Sequence, residues 1–423
     1  MKKIVIIGGG FAGLQLAKNL ALSDTEITLI DRLNHHQFQP LFYQVATSRI
    51  EPSSISFPLR KIFQNSKNIQ IRMADVFEID PNNKCLKTGI GDIEYDTLVI
   101  ATGCKTNFFG NKEIETNAWP LKTTFESINV RNKILLNFED VFNQMERNPD
   151  SLFNIVIVGA GPTGVELAGA FAETKINILP KDYPDYDFSK LKIILIEGGN
   201  SPLGNMSENA RTKSAVYLKQ LGVDLITGTF VTSYNGSLVK LSNGQELQSK
   251  SVIWAAGVTG NIIPGLSSEV VTKNNRIKVD RFNKVEGYSD IYAIGDIALM
   301  TTPNYPQGHL QVANVAINQA KNLAKNLNAI SLGKPQKEYE YKDLGSMATV
   351  GKHKAVVDLP KIKFSGTLAW LIWMFLHLML ILSVKNKLII FINWAWSYMT
   401  SDSSLRLILS NDRPGVKKND SAF

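Results

Sequence analysis

Six glycines and two carboxylates stand where a chain could hold two dinucleotides. Gly8, Gly10 and Gly13 make the pattern G-x-G-x-x-G within "GGGFAG", which also carries Phe11 and Ala12. Gly159, Gly161 and Gly164 repeat it within "GAGPTG". In this pattern the first glycine makes a tight turn and the second lets a pyrophosphate approach the backbone. The third lets helix and strand pack closely. Asp31, about 20 residues past the first set, suits hydrogen bonding to ribose hydroxyls. Glu197 takes that role for the second set, displaced by a stretch at 175–190 that carries Pro180 and Pro184 and reads as an inserted loop. A carboxylate there accepts from free ribose hydroxyls and repels a 2′-phosphate, which favours NADH over NADPH. Two dinucleotides on one chain point to electron transfer between them.

These residues need strands and helices to aim them. Residues 3–7 are a short β-branched run that reads as a buried parallel strand, followed by a helix over 12–22 and a strand over 26–30. Residues 154–158, a helix from Thr163 to about 173, and 193–196 repeat the order. Each helix turns its positive N-terminus toward the phosphates. Two further strand-then-turn units end in Ala101-Thr102-Gly103 and Ala256-Gly257, and a third ends in Gly295-Asp296. The fold class is α/β, with two Rossmann-like domains.

Composition narrows the chemistry. The chain has 423 residues, enough for two or three domains, and a formal net charge of +8. It has no run of five or six basic residues, so nucleic acid is not expected as a partner. The two cysteines, Cys85 and Cys104, are too few and too far apart for a disulfide framework, a zinc site or a dithiol redox centre. Cys104 is expected to pack. His35 and His36 are adjacent, but among five histidines no third ligand is evident, so a structural role is expected and no metal. The chain enters its first strand directly after Met1, which predicts an intracellular start of folding.

Together these segments resemble the two-dinucleotide flavoprotein reductases, in which FAD sits on the first unit and NAD(P)H on the second. Within that group the chain resembles the type II NADH:quinone oxidoreductases over nearly its whole length. "LIDRLNHHQFQPLFYQVAT", with Arg32 and Gln44, is similar to that family's flavin-lining segment. "GVELAGAFAE" carries Glu166, whose family counterpart lies near flavin and nicotinamide and acts in proton transfer or substrate positioning. From its place alone, Glu166 reads as a first-turn acid favoured by the helix dipole. The family's A-Q-x-A-x-Q run is matched by "HLQVANVAINQA", where Ala313-Asn314-Val315-Ala316-Ile317-Asn318 has asparagine at both glutamine positions. Gln311, Asn314 and Asn318 are spaced to share one helical face, as quinone-facing or plain packing amides. The resemblance implies that Asp296 holds the flavin ribityl chain. It also implies that Val76, Gln311, Val312 and Ala313 join the FAD site. A sulfide:quinone oxidoreductase has the same fold but needs cysteines in the middle and late chain. A flavin-bearing redox sensor or membrane scaffold is the reading from another class.

The expected domains are 1–112 and 263–334 for FAD, 113–262 for NADH, and 335–423 as a C-terminal region. In that region 335–363 reads as two or three strands. Residues 366–383 are nearly all apolar, "KNK" interrupts, and 388–401 continue; four of the six tryptophans fall here. A single membrane crossing, a buried helix pair or dimer interface, and a hairpin of membrane-surface helices over about 366–400 are all conceivable. The hairpin fits best, because tryptophan and tyrosine belong at that depth and flanking basic residues reach lipid phosphates. It also matches the family's membrane-binding helices. The expectation is therefore an FAD-dependent NADH:quinone oxidoreductase that pumps no protons. It would lie peripherally on the cytoplasmic side of the cell membrane and reduce menaquinone or ubiquinone, with a homodimer left open.

Overall fold

The computed structural model describes residues 2–410 apart from 22, 144–152 and 404; the basic residues of the tail after 410 lie outside the described residues. The chain divides into two compact units: residues 1–37, 56–105 and 258–342, and residues 38–55, 106–257 and 343–423. Residues 38–55, expected with the first domain, pack with the second unit.

The first unit is built on a five-stranded parallel sheet in the order Ile291–Ala293, Thr97–Ile100, Lys2–Ile7, Thr25–Asp31, Ile69–Met73. The β-branched run centred on Val5 is buried on both faces, as a central parallel strand requires. Register puts Ile7 opposite both Ile30 and Ile100, so the first glycine loop and Asp31 leave the same end of the sheet. The helix Phe11–Leu20 starts there and packs on the long helix Ala313–Ser331. An antiparallel meander, Val76–Asp80, Cys85–Thr88 and Gly91–Glu94, completes the unit's described sheets together with short two-stranded pairs.

The second unit repeats the plan. Its parallel sheet runs Trp119–Pro120, Ser251–Trp254, Ile155–Val158, Ile193–Ile196, Val223–Ile226. Its glycine helix spans Pro162–Asn177, longer than expected, and most of the stretch at 175–190 read as a loop is helical, with Leu179–Asp182 and Phe188–Lys190 following. Of the antiparallel strands Ser346–Gly351, Lys354–Asp358 and Lys363–Ser365, the first two lie inside the stretch expected to hold strands and the third begins at its last residue. The glycine helix sits against the first of them at backbone contact: a Cβ on Gly169 would lie 1.6 Å from the Val350 carbonyl oxygen.

Two helices follow, Thr367–Leu380 and Val384–Thr400, and no helix among the described residues is long and apolar enough to cross a membrane. The first is apolar nearly all round, the second carries a polar line of Asn386, Asn393, Ser397 and Thr400, and each buries only one stripe. Ala369 with Trp373, and Ile390 with Trp394, are four apart and buried. Leu371, Phe375, Phe391, Ile392, Trp396 and Met399 are exposed. An exposed apolar patch of this kind marks an interaction surface. The pair is thus neither wholly core nor wholly separate from it.

Candidate functional site

The first cradle is assembled around Gly9. Gly8 adopts φ +106°, which L side chains rarely adopt, and a Cβ there would meet the Ala101 carbonyl oxygen at 2.3 Å. Gly13 approaches Gly8 so closely that a Cβ would lie 1.9 Å from its carbonyl oxygen. Above Gly10 a Cβ would meet nothing within 4 Å, which leaves backbone room for a pyrophosphate at the helix N-terminus. The amide of Gly9 donates to Asp31 Oδ2 at 2.6 Å, and Leu33 donates to Oδ1 at 2.7 Å. His36 Nδ1 donates to the Gly9 carbonyl at 2.9 Å, and burial holds its imidazole neutral, with a pKa lowered to about 4. His36 is structural in this sense. The Phe11 ring stands edge-on to His36, with ring centres 5.1 Å apart.

The Gly295-Asp296 turn joins the same cradle, where a Cβ on Gly295 would lie 3.1 Å from Ala12 Cβ. Gln319, fully buried, accepts from the Gly295 amide at 2.8 Å, and Gln311 Nε2 donates to the Asp296 carbonyl at 3.0 Å. Cys104, expected only to pack, donates its S–H to Asp296 Oδ2 at 3.0 Å. Gln311 does not share a helical face with Asn314 and Asn318, because Val312 is extended and the helix begins at Ala313. Asn318 Nδ2 donates to Asn314 Oδ1 at 3.0 Å, so the two amides are each other's partners. Gly103 accepts from the Asn261 amide, while the Thr102 hydroxyl is buried and has no hydrogen-bond partner among the described residues. Arg32 is exposed. Val76 opens its strand two residues beyond Ala74, whose amide donates to the Asp31 carbonyl.

The second cradle repeats the glycine geometry and the carboxylate contacts of the first. Gly159 has φ +100°, and a Cβ there would lie 2.7 Å from Ala256 Cα. A Cβ on Gly161 would meet nothing within 4 Å, and one on Gly164 would lie 1.8 Å from the Gly159 carbonyl oxygen. Glu197 Oε2 accepts from the Ala160 amide at 2.6 Å and Oε1 from Gly199 at 2.7 Å, as Asp31 does in the first unit. Thr163 is exposed in the helix's first turn, and Gly257 is exposed with φ +73°. Each acid therefore ties down its own glycine loop and keeps lone pairs for a ribose. The residues of both cradles fit a dinucleotide.

Glu166 is not the first-turn acid that its place in the sequence suggests. It is the fifth residue of its helix, no acid occupies the first turn, and its side chain is buried. Burial pushes its carboxyl up to about 8; the Thr349 amide, donating to Oε1 at 3.4 Å, only partly offsets this. The Trp373 indole N–H lies toward the same carboxyl, short of a hydrogen bond. Near neutral pH Glu166 therefore holds a proton. It lines a cavity of about 360 Å³ with Tyr43, Gln44, Trp370, Trp373 and Trp394, so the tail helices build its wall. Gln44, expected at the flavin, here bonds Tyr43 and Trp394. One helical turn past Ala170, Glu173 accepts from Arg49 Nη2 at 2.7 Å and from the Lys352 amide.

The two Rossmann-type units, each with a glycine cradle and a ribose acid, define the two-dinucleotide oxidoreductase class. The pyridine nucleotide-disulphide oxidoreductase family model matches residues 2–320, and the NDH2 C-terminal domain matches 344–401. The type II NADH:quinone oxidoreductase Ndh of Mycobacterium tuberculosis is 33% identical, covering 94% of this chain and 88% of its own length. The type II NADH:quinone oxidoreductase of Staphylococcus saprophyticus is 30% identical over 84% of this chain and 89% of its own. The fold is shared with NDH2 of Plasmodium falciparum, solved with NADH, at TM-score 0.87 and 21% identity, covering 97% of this chain and all of that one. A sulfide:quinone oxidoreductase of Aquifex aeolicus shares it at TM-score 0.73 and 21% identity, over 99% and 100% of the two chains. This chain belongs to the type II NADH:quinone oxidoreductases, a group of flavin-dependent enzymes within the pyridine nucleotide-disulphide oxidoreductase family.

Proposed function

We propose that this protein oxidises NADH held on the second glycine loop and reduces a membrane quinone through FAD held on the first, without pumping protons. Bound FAD supplies the redox chemistry, exchanging a hydride with NADH and two electrons with the quinone. The protein supplies orientation, exclusion of water and a proton. Asp31 and Glu197 are proposed to take the ribose hydroxyls of FAD and NADH. Gly10 and Gly161 leave room for each pyrophosphate. Asp296, steadied by Cys104, is proposed to meet the ribityl chain.

The observation that carries the quinone reading is the surplus of donors in the Glu166 cavity. Its wall holds a carboxyl that keeps its proton near neutral pH and an indole N–H without a partner among the described residues. An acceptor-only ligand satisfies such a wall, and a quinone headgroup is one. The surrounding Trp370, Trp373 and Trp394 suit its ring. Asn314 and Asn318 remain candidates for contact with the acceptor. The exposed apolar stripe of the tail helices supports a seat on a lipid surface, from which a bilayer-dissolved quinone can enter. We place that seat on the cytoplasmic side. Sulfide oxidation is disfavoured: Cys85 and Cys104 both lie early in the chain, and Cys104 donates to Asp296.

The test is the purified protein in liposomes that contain a long-tailed quinone. NADH should be consumed with quinone reduction, and the flavin released on heating should be FAD. NADH oxidation that proceeds equally without quinone under anaerobic conditions, or release of a different flavin, would overturn the proposal.

A further inference from the structure

A chain of three buried side chains leads from the last tail helix into the Glu166 cavity. Trp394 Nε1 donates to Gln44 Oε1 at 2.8 Å, and Gln44 Nε2 donates to Tyr43 Oη at 2.9 Å. All three residues are at most 8% exposed, and all three line the cavity. Direction along this chain is not arbitrary. An indole N–H can only donate, so the atom of Gln44 that faces Trp394 must be the carbonyl oxygen. The amide nitrogen must then face Tyr43, and the Tyr43 oxygen must accept. A phenol that accepts in this way keeps its own hydrogen for another partner, and among the described residues Tyr43 makes no second side-chain hydrogen bond. The Trp373 ring stands edge-on at 6.3 Å and narrows the directions left to that hydrogen. Of the ionisable side chains around it, Glu166 acts most strongly on the phenol.

We infer that the Trp394–Gln44 pair fixes the Tyr43 hydroxyl as a hydrogen-bond donor into the Glu166 cavity, where it meets a quinone carbonyl oxygen. This rests on the quinone reading above. Tyr43 is then the residue that touches the substrate; Gln44 and Trp394 are positioning residues. A donor held in place stabilises the negative charge that grows on the carbonyl oxygen during reduction. Because Trp394 belongs to the helix with the exposed apolar stripe, the seating of that helix sets the polarity of the donor. Loss of the indole N–H frees the Gln44 amide to turn over. The amide oxygen would then accept from Tyr43 and draw its hydrogen away from the cavity.

The experiment is a double-mutant cycle on the full-length holoenzyme, with steady-state rates against a soluble short-chain quinone and against NADH. Trp394→Phe keeps the ring and removes the donor. It should lower kcat/KM for quinone about three- to tenfold, the scale of one neutral hydrogen bond, with a smaller change in kcat/KM for NADH. Tyr43→Phe should do the same. The two together should be no worse than Tyr43→Phe alone, because Trp394 acts only through the hydroxyl. Gln44→Glu, which accepts from both neighbours, should mimic Tyr43→Phe and likewise add nothing to it. Additive losses, or an active Tyr43→Phe with unchanged quinone kinetics, would overturn the inference. A wild-type protein that does not reduce quinone would overturn the function reading instead.

Discussion

Replacing Glu166 by glutamine should make the protein more stable at alkaline pH, and the size of the gain follows from its burial. The carboxyl pKa rises from 4.5 to about 8 in the fold. Below pH 4.5 both folded and unfolded states are protonated, and the side chain contributes no pH dependence. Between 4.5 and about 8 the unfolded chain has released a proton that the folded chain still holds, so stability falls as pH rises. Each pH unit in that window costs about 1.4 kcal/mol, and the whole window costs roughly 5 kcal/mol. From pH 6 to pH 8 the loss is about 2 kcal/mol, because titration is half complete at the upper end. Glutamine cannot titrate and keeps an acceptor for the Thr349 amide. The melting temperature of Glu166→Gln, measured against wild type by scanning calorimetry, should therefore gain about 2–4 °C between pH 6 and pH 8. Turnover supplies a second reading. Wild-type quinone reduction should decline above pH 8 as the proton is lost, whereas the variant should be slower at neutral pH and lack that decline. Melting curves that shift in parallel with pH would show that Glu166 titrates as an ordinary carboxylate, and the reasoning from burial would fail.

Other outcomes follow from named contacts. Restoring glutamine at Asn314 and Asn318 should change KM for quinone by about threefold or more and KM for NADH less; steady-state kinetics showing the reverse would remove these amides from the acceptor site. Glu197→Ser should shrink the preference for NADH over NADPH by about tenfold, one lost charge repulsion, and raise KM for NADH, since the Ala160 and Gly199 amides lose their acceptor. An unaltered preference would remove Glu197 from the ribose. Serine at Leu371, Phe375, Phe391 and Ile392, all more than half exposed, should release the protein from vesicles in flotation assays. Each apolar side chain withdrawn from lipid weakens binding by about 1.5–3 kcal/mol, and continued flotation would put the membrane seat elsewhere.

What could be read from the sequence was local in space as well as along the chain. Gly8, Gly10 and Gly13 act on one turn, and Asp31 reaches Gly9 through the single step between adjacent parallel strands. The same holds for Gly159 and Glu197. The burial of Glu166 is not legible in the sequence, because its neighbours Thr349 and Trp373 lie about 180 and 200 residues away and nothing in a helical pattern foretells them. Cys104 looked inert because its partner, Asp296, is 192 positions distant. Gln311 looked helical because spacing alone does not reveal that Val312 is extended and ends the preceding loop. The tail posed the hardest case. Composition alone does not separate a residue such as Trp394, which reaches across 350 positions to Gln44, from Trp396, which is 62% exposed. The i, i+4 pairs Ala369–Trp373 and Ile390–Trp394 are present as a signal, but on both helices exposed apolar residues outnumber the buried ones and hide the stripe.

The central claim is that electrons pass from NADH through the bound flavin to quinone. Anaerobic stopped-flow spectroscopy of the purified protein tests it most directly. On mixing with NADH the oxidised flavin absorbance should bleach faster than steady-state turnover. Adding a quinone should then restore it at a rate that matches turnover. A flavin that stays oxidised in NADH, or one that bleaches and is not recovered by quinone, would contradict the account.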